Sequence, residues 1–239
     1  MANFKTYGII LKRQNFGEAD RIVTILTEKF GKIRVLAKGV RKTLSKMAGH
    51  LEPFCLTRLE LAEGRNLDII CGAEVKNSFF EIRNDLQKTT ISFYMAEIID
   101  KMMEEGQAHE EIFHLFRSTL EHANEVIGPL LISYFEINFL DQMGFKPELY
   151  NCLICRKDIR AGENRFDFNH GGLICASCGQ GHVVSSDLIK ILRLFLRHDF
   201  TTIKKIKAEA KLIREVQTLT SQYLKHIHQQ DFKSERFLA

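Results

Sequence analysis

Cys152, Cys155, Cys175 and Cys178 form a C-x2-C pair, nineteen intervening residues and a second C-x2-C pair. Four sulfurs at this spacing suit one tetrahedral zinc ion. Each short turn offers two thiolates, and the intervening stretch is long enough to bring the second pair back to the first. Paired disulfides would need an oxidising compartment, and the N-terminus carries no secretory pattern. A redox C-x2-C would sit beside a βαβ pattern and would not need a second copy. Four cysteines close the coordination shell, so His170 and His182 nearby are not required and no position is left open for substrate. The expectation is one structural Zn2+ that contributes on the order of 10 kcal/mol to the local fold. Cys55 and Cys71 stand singly in strand-like segments and read as buried thiols.

A second set of residues could hold phosphate. The chain has 239 residues and a formal net charge of +4, but the charge is uneven. Residues 1–80 carry 14 Lys/Arg against 8 Asp/Glu, and residues 81–239 carry 20 against 22. From Lys29 to Leu51 there are seven cations and no acid: Lys29, Lys32, Arg34, Lys38, Arg41, Lys42 and Lys46. Scattered charge usually solvates a surface. An unopposed run of this density favours a polyanion site.

Other chemistries are missing. There is no G-x4-G-K-[ST] phosphate loop and no G-x-S-x-G elbow. His109-Glu110 with His114 spaces its histidines by five, whereas the zinc-protease helix needs four. Phe16 and Phe30 lie near turns and could stack on bases, although ordinary packing is the simpler reading.

The elements that must position these residues change character near residue 80. Before it, Tyr7–Leu11, Arg21–Thr27, Ile33–Lys38, Phe54–Leu61 and Leu67–Val75 read as strands separated by glycine-marked turns. Five short strands suggest an OB-type barrel, which binds single strands on one face and its loops. Alternation along the third strand sets Lys32, Arg34 and Lys38 on one outward side. They form a stripe that continues into Arg41, Lys42 and Lys46. The fourth strand breaks its alternation, which predicts a bulge near Arg58.

After residue 80 the apolar period is helical. A helix with Ile91, Tyr94, Met95, Ile98 and Met102 on one face follows a cap at Asn84. A second runs from about Glu110 to Val126. Gly128-Pro129 opens a third that is apolar nearly all round, hence central and buried. Gly144 closes it. Ser185 or Ser186 caps another helix through Phe195, and a last runs from about Ala208 to His228. The expected class is α+β: residues 1–79 a DNA-binding barrel, residues 80–239 helical, with 150–182 a zinc module. No apolar run approaches the ~18 residues of a membrane span.

Several segments carry a family resemblance. They are Gly17-Glu18-Ala19-Asp20 with Thr27-Glu28 and Gly31-Lys32, then Ala37-Lys38-Gly39-Val40-Arg41-Lys42 and Leu51-Glu52-Pro53-Phe54. Further on come Tyr134-Phe135-Glu136, Gly144-Phe145-Lys146-Pro147-Glu148-Leu149 running into the first cysteine pair, and Ser234 with Arg236-Phe237-Leu238. In this order the chain resembles the RecO family of bacterial recombination mediators along nearly its whole length. Some members lack the cysteines; this chain keeps all four. The resemblance implies an OB fold and a helical zinc domain in a non-enzymatic, cytoplasmic, nucleoid-associated protein. It implies binding of single- and double-stranded DNA and annealing of complementary strands. It also implies partnership with RecR and in some systems RecF, and recognition of the acidic tail of single-stranded DNA-binding protein. The outcome is loading of RecA onto protein-coated strands.

Phosphate contacts are assigned to Lys32, Arg34, Lys38, Arg41, Lys42 and Lys46, with Lys12 and Arg13 as weaker candidates. About five neutralised phosphates would give a log K against log salt slope near −3.5 on single strands. The acidic tail would suit the cations Lys190, Arg193, Arg197, Lys204, Lys205, Lys207, Lys211 and Arg214, though a solvated helix face explains these as well. Two other readings stand beside this one. Zinc knuckles could touch nucleic acid directly, but Arg156, Lys157, Arg160 and Arg165 are nearly balanced by Asp158, Glu163 and Asp167. A nuclease would need a carboxylate cluster with metal spacing, and none stands out.

Overall fold

The computed structural model describes residues 3–126 and 128–238. Five strands open the chain: β1 (Asn3–Phe16), β2 (Asp20–Thr27), β3 (Gly31–Ala37), β4 (Leu56–Ala62) and β5 (Asp68–Asn77). They close on themselves in the order β1-β2-β3-β5-β4. One side of each strand supplies the interior, where Ile10, Val23, Ile25, Val35, Ala37, Leu59, Leu61 and Ile70 pack together. β1 is long because it serves two neighbours: Asn3–Ile9 pairs with β4 and Gly8–Phe16 with β2. The register slips between Ile10 and Lys12, so Leu11 is an extra residue that turns the strand from one partner to the other.

The break in β4 alternation has a different cause from the one expected. Arg58 pairs regularly with Glu74, and the slips fall on either side, at Leu56/Thr57 and Glu60/Leu61. The extra residues lie on the partner strand, at Lys76 and Cys71. Cys71 is therefore exposed, not buried, because a bulge residue leaves the inward alternation. Phe54 precedes β4 in left-handed backbone (φ 67°) and is buried with its N–H on the Ile10 carbonyl (2.8 Å).

β3 and β5 pair in parallel only at Val35–Asp68 and Leu36–Ile69. The first half of β3 is covered by a later segment, through a bridge between Lys32 and Glu105 and a Gly106 N–H bond to the Lys32 carbonyl (2.9 Å). Gly31 makes this approach possible. Its φ is +63°, and a Cβ there would overlap the Gln107 carbonyl. Gly31→Ala combines about 1–2 kcal/mol of left-handed strain with displacement of that backbone. A drop of at least about 2 kcal/mol in urea unfolding is expected, with strand order unchanged.

The helical period holds with shifted ends. A short α1 (Phe80–Arg83) precedes α2 (Leu86–Met102), α3 (Glu110–Glu121) and α4 (Gly128–Gln142). The cap of α2 is Asp85, whose carboxylate accepts the Lys88 N–H at 3.0 Å; Asn84 instead ends α1. α3 stops at Glu121 because the chain must turn before Gly128-Pro129. α4 is buried on nearly every side, and Gly144 (φ +86°) follows two residues after its end. A small antiparallel sheet of β6 (Asn164–Asp167), β7 (Gly172–Cys175) and β8 (His182–Val184) follows, in the order β7-β6-β8. Then come α5 (Ser186–Phe195), capped by Ser185 on the Leu188 N–H (3.2 Å), α6 (Phe200–Ile203) and α7 (Ala210–His228).

The packing forms two compact units. One holds the barrel and α1–α3 and takes back the chain from Phe232 onward; the other is His122–Asp231. In the first, Phe93 of α2 sets its edge on Phe54 (4.7 Å). Phe232 meets Tyr94 (5.8 Å), and Glu97 accepts the Lys233 and Ser234 N–H groups at 3.0 and 2.8 Å. In the second, α4 packs on α7, and the buried Glu136 carboxylate accepts the Thr220 hydroxyl.

Candidate metal centre and nucleic-acid surface

The four cysteines come from two turns on the small sheet. In the first, Cys152 N–H bonds the Lys157 carbonyl (2.8 Å) and Arg156 N–H bonds the Cys152 carbonyl (2.9 Å). Arg156 takes left-handed backbone (φ 62°) to close the turn. In the second, Cys175 ends β7 and Cys178 N–H returns to its carbonyl (3.0 Å). All four Sγ atoms lie within 4.8 Å of one another, with Cys155 and Cys175 at 3.9 Å. A tetrahedron with Zn–S bonds of about 2.3 Å has S–S edges of about 3.8 Å, so the cage fits such an ion.

The electrostatics suit a cation. Burial raises the Cys152 thiol, but N–H groups of Cys175, Cys155 and Ile154 aimed at its sulfur outweigh that and lower it to about 6. The Cys175 N–H lies 3.4 Å from this sulfur. Hydrogen bonding among the neighbouring thiols, Cys175 first, pushes Cys178 up to about 12. Four crowded thiolates repel one another until a dication neutralises them. His170 does not belong to the cluster; its Nδ1 lies 2.6 Å from Asp167.

The predicted phosphate residues divide. Lys38, Arg41, Lys42 and Lys46 are exposed and have no acidic partner among the described residues. The loop that carries them is fixed by Asp20, which accepts the Gly39 N–H at 2.7 Å, and by Arg41 N–H on the Ala19 carbonyl at 2.9 Å. Lys32 does not join the outward stripe. It is 6% exposed, its Nζ donates to the Asp100 carbonyl, and the Asp100 carboxylate is 3.9 Å away. Burial lowers its pKa against the pull of Asp100 and Glu105. Arg34 is half exposed but paired to Glu105 at 2.6 Å. The weaker candidates are engaged too, Lys12 with Asp100 (3.4 Å) and Arg13 with Glu52.

Asp100, Glu105 and Asp20 are the residues that sequence reasoning missed. Asp20 closes the segment Gly17-Glu18-Ala19-Asp20. Asp100 and Glu105 lie about seventy residues along the chain from Lys32 and Arg34, the cations they pair with, and no local pattern ties them together. Removing one member of a buried ion pair costs about 3–5 kcal/mol, less where a partner touches water, as Asp100 does. Lys32→Met is expected to lower unfolding stability by about 2–3 kcal/mol and leave the salt slope of any DNA binding unchanged.

Several helical-unit cations also have local partners. Lys190 meets Asp187 and Lys204 meets Glu125, at 2.8 and 2.9 Å. Arg193 and Arg197 lie over the Tyr150 ring at 4.6 and 4.8 Å. No helix of the described residues is long and apolar enough to cross a membrane.

Sequence models for the N-terminal and C-terminal parts of recombination protein O match residues 1–79 and 83–236. The chain belongs to the RecO family. It is 39% identical over 219 residues to the DNA repair protein RecO of Dehalococcoides mccartyi (strain CBDB1), covering 90% of this chain and 87% of that one. Identity is 34% to the RecO of Roseiflexus sp. (strain RS-1), over 98% of this chain and 84% of the relative. It is 30% to that of Desulforamulus reducens, over 100% and 94%. The first match ends at Phe79, between β5 and α1, and the second begins at Arg83, the last residue of α1.

Proposed function

We propose that this chain is a non-enzymatic recombination mediator in DNA repair. On this reading residues 1–79 are an OB-type DNA-binding domain, and residues 80–239 a helical domain braced by one zinc ion on Cys152, Cys155, Cys175 and Cys178. The strand order with a parallel β3–β5 contact supports the OB assignment. The observation that carries the DNA reading is the loop Lys38–Lys46, whose four cations stand free of acids and are held by the β1–β2 turn. Lys38, Arg41, Lys42 and Lys46 contact phosphates, and Lys32 and Arg34 hold the strand behind them. Arg41 can grip a phosphate bidentately, while the lysines act as point charges.

Membership of the RecO family supports the rest. The protein binds single- and double-stranded DNA and anneals complementary strands. It engages RecR, in some systems RecF, and the acidic tail of single-stranded DNA-binding protein, and so helps load RecA onto coated strands. It works in the bacterial cytoplasm at the nucleoid. The test is annealing of complementary oligonucleotides, with and without bound single-stranded DNA-binding protein. Wild type should accelerate annealing in both cases, and Arg41→Glu/Lys42→Glu in neither. Accelerated annealing by the double variant would remove the loop from the mechanism. Substantial cleavage of labelled DNA with Mg2+ would make the protein an enzyme.

A further inference from the structure

The β1–β2 turn and the loop after β3 form one edge. Besides the Asp20 and Ala19 contacts, Arg41 Nη1 donates to the Gly17 carbonyl (3.2 Å). Two large apolar side chains stand in solvent on this edge, Phe16 at 52% and Leu44 at 92% exposure. Single exposed hydrophobic residues are ordinary on protein surfaces. Leu44 lies between Lys42 and Lys46 in the chain, and Phe16 precedes Gly17, whose carbonyl Arg41 holds, so the two stand on segments hydrogen-bonded to each other, and neither belongs to the barrel core. Phe30, the other aromatic near a turn, is used in packing against Phe4 (4.9 Å between centroids). Phe16 has no ring partner among the described residues.

We infer that Phe16 and Leu44 are base-contacting residues that let the site favour unpaired strands over duplex. The inference rests on the phosphate reading of the loop and adds what cations cannot supply. Phosphates are available on duplex and single strand alike. Base faces are open only when the strand is unpaired, and an aromatic ring stacks on any of them. Phe16 stacks on one base while Leu44 packs against a neighbour, with the backbone held by Lys38, Arg41, Lys42 and Lys46. Glu18, exposed in the same turn, keeps phosphates from the tip and leaves it to bases. Loss of one stacked base lowers affinity roughly 5- to 150-fold.

The chain has no tryptophan, so Phe16→Trp creates a single fluorescent reporter. It would be titrated with an oligothymidylate and with an abasic oligomer of the same length. The expected result is quenching by the oligothymidylate and none by the abasic backbone, even where the latter is bound. In the Phe16→Ala/Leu44→Ala protein, oligothymidylate affinity should fall at least about ten-fold, with abasic affinity and salt slope at wild-type values. Equal quenching by both oligomers, or equal loss of affinity for both, would overturn the inference. The phosphate reading fails separately: Arg41→Glu/Lys42→Glu would then leave abasic binding unchanged.

Discussion

Chelating the metal, or replacing Cys152 by Ser, is expected to unfold residues 150–182 while leaving the barrel folded. The sheet that carries the cysteines has strands of four, four and three residues. Its buried apolar side chains are few, chiefly Phe166, Leu173, Ile174 and Val184, and three strands this short are marginal alone. A structural zinc contributes on the order of 10 kcal/mol, comparable to the whole stability of a domain. Amide exchange should show loss of protection across both cysteine turns, and metal analysis should give one ion per wild-type chain and none in the variant. The loss should reach α7 at Tyr223 and His226, whose rings meet Phe166 (5.2 Å) and Phe168 (6.2 Å). Cys71→Ser is the control, since that thiol is exposed and outside the cage. Retained protection in metal-free protein would show that the module folds without the ion.

The cysteine quartet was legible because its chemistry is local. Two turns each present two sulfurs, and spacing alone announces the geometry. The five strands and the main helices were legible for a related reason, since burial of one face imposes period 2 or 3.6. The small β6–β8 sheet was not, because strands of three or four residues are too short to show a period. The electrostatic state of β3 was hidden as well. Period-2 alternation correctly separates Lys32 and Arg34 from the inward Val35 and Ala37. It cannot say that a segment far along the chain covers that side and supplies Asp100 and Glu105. The clue was Gly31, which needed a reason to lack a side chain and found it in the Gln107 carbonyl. Charge counts along a sequence therefore overstate a binding stripe wherever a later segment brings acids to it.

That revision changes the expected DNA binding in number. Of the six cations first assigned, four remain free to neutralise phosphates, so the single-strand salt slope should be about −2.8 and not the −3.5 of five contacts. Arg41→Glu with Lys42→Glu removes two of the four and places two like charges against the backbone. Affinity near 0.1 M salt should fall on the order of 100-fold, and the slope should flatten to about −1.4. Fluorescence anisotropy with a labelled oligonucleotide over a salt series measures both. Zinc content and melting temperature should stay at wild-type values, since both side chains are exposed and unpaired with acids. Arg34→Ala should cost less than either loop change, because Glu105 already neutralises that guanidinium. A variant slope equal to that of wild type would mean that the phosphates lie elsewhere, whatever the affinity. The slope counts contacts, whereas affinity alone would also respond to a misplaced loop.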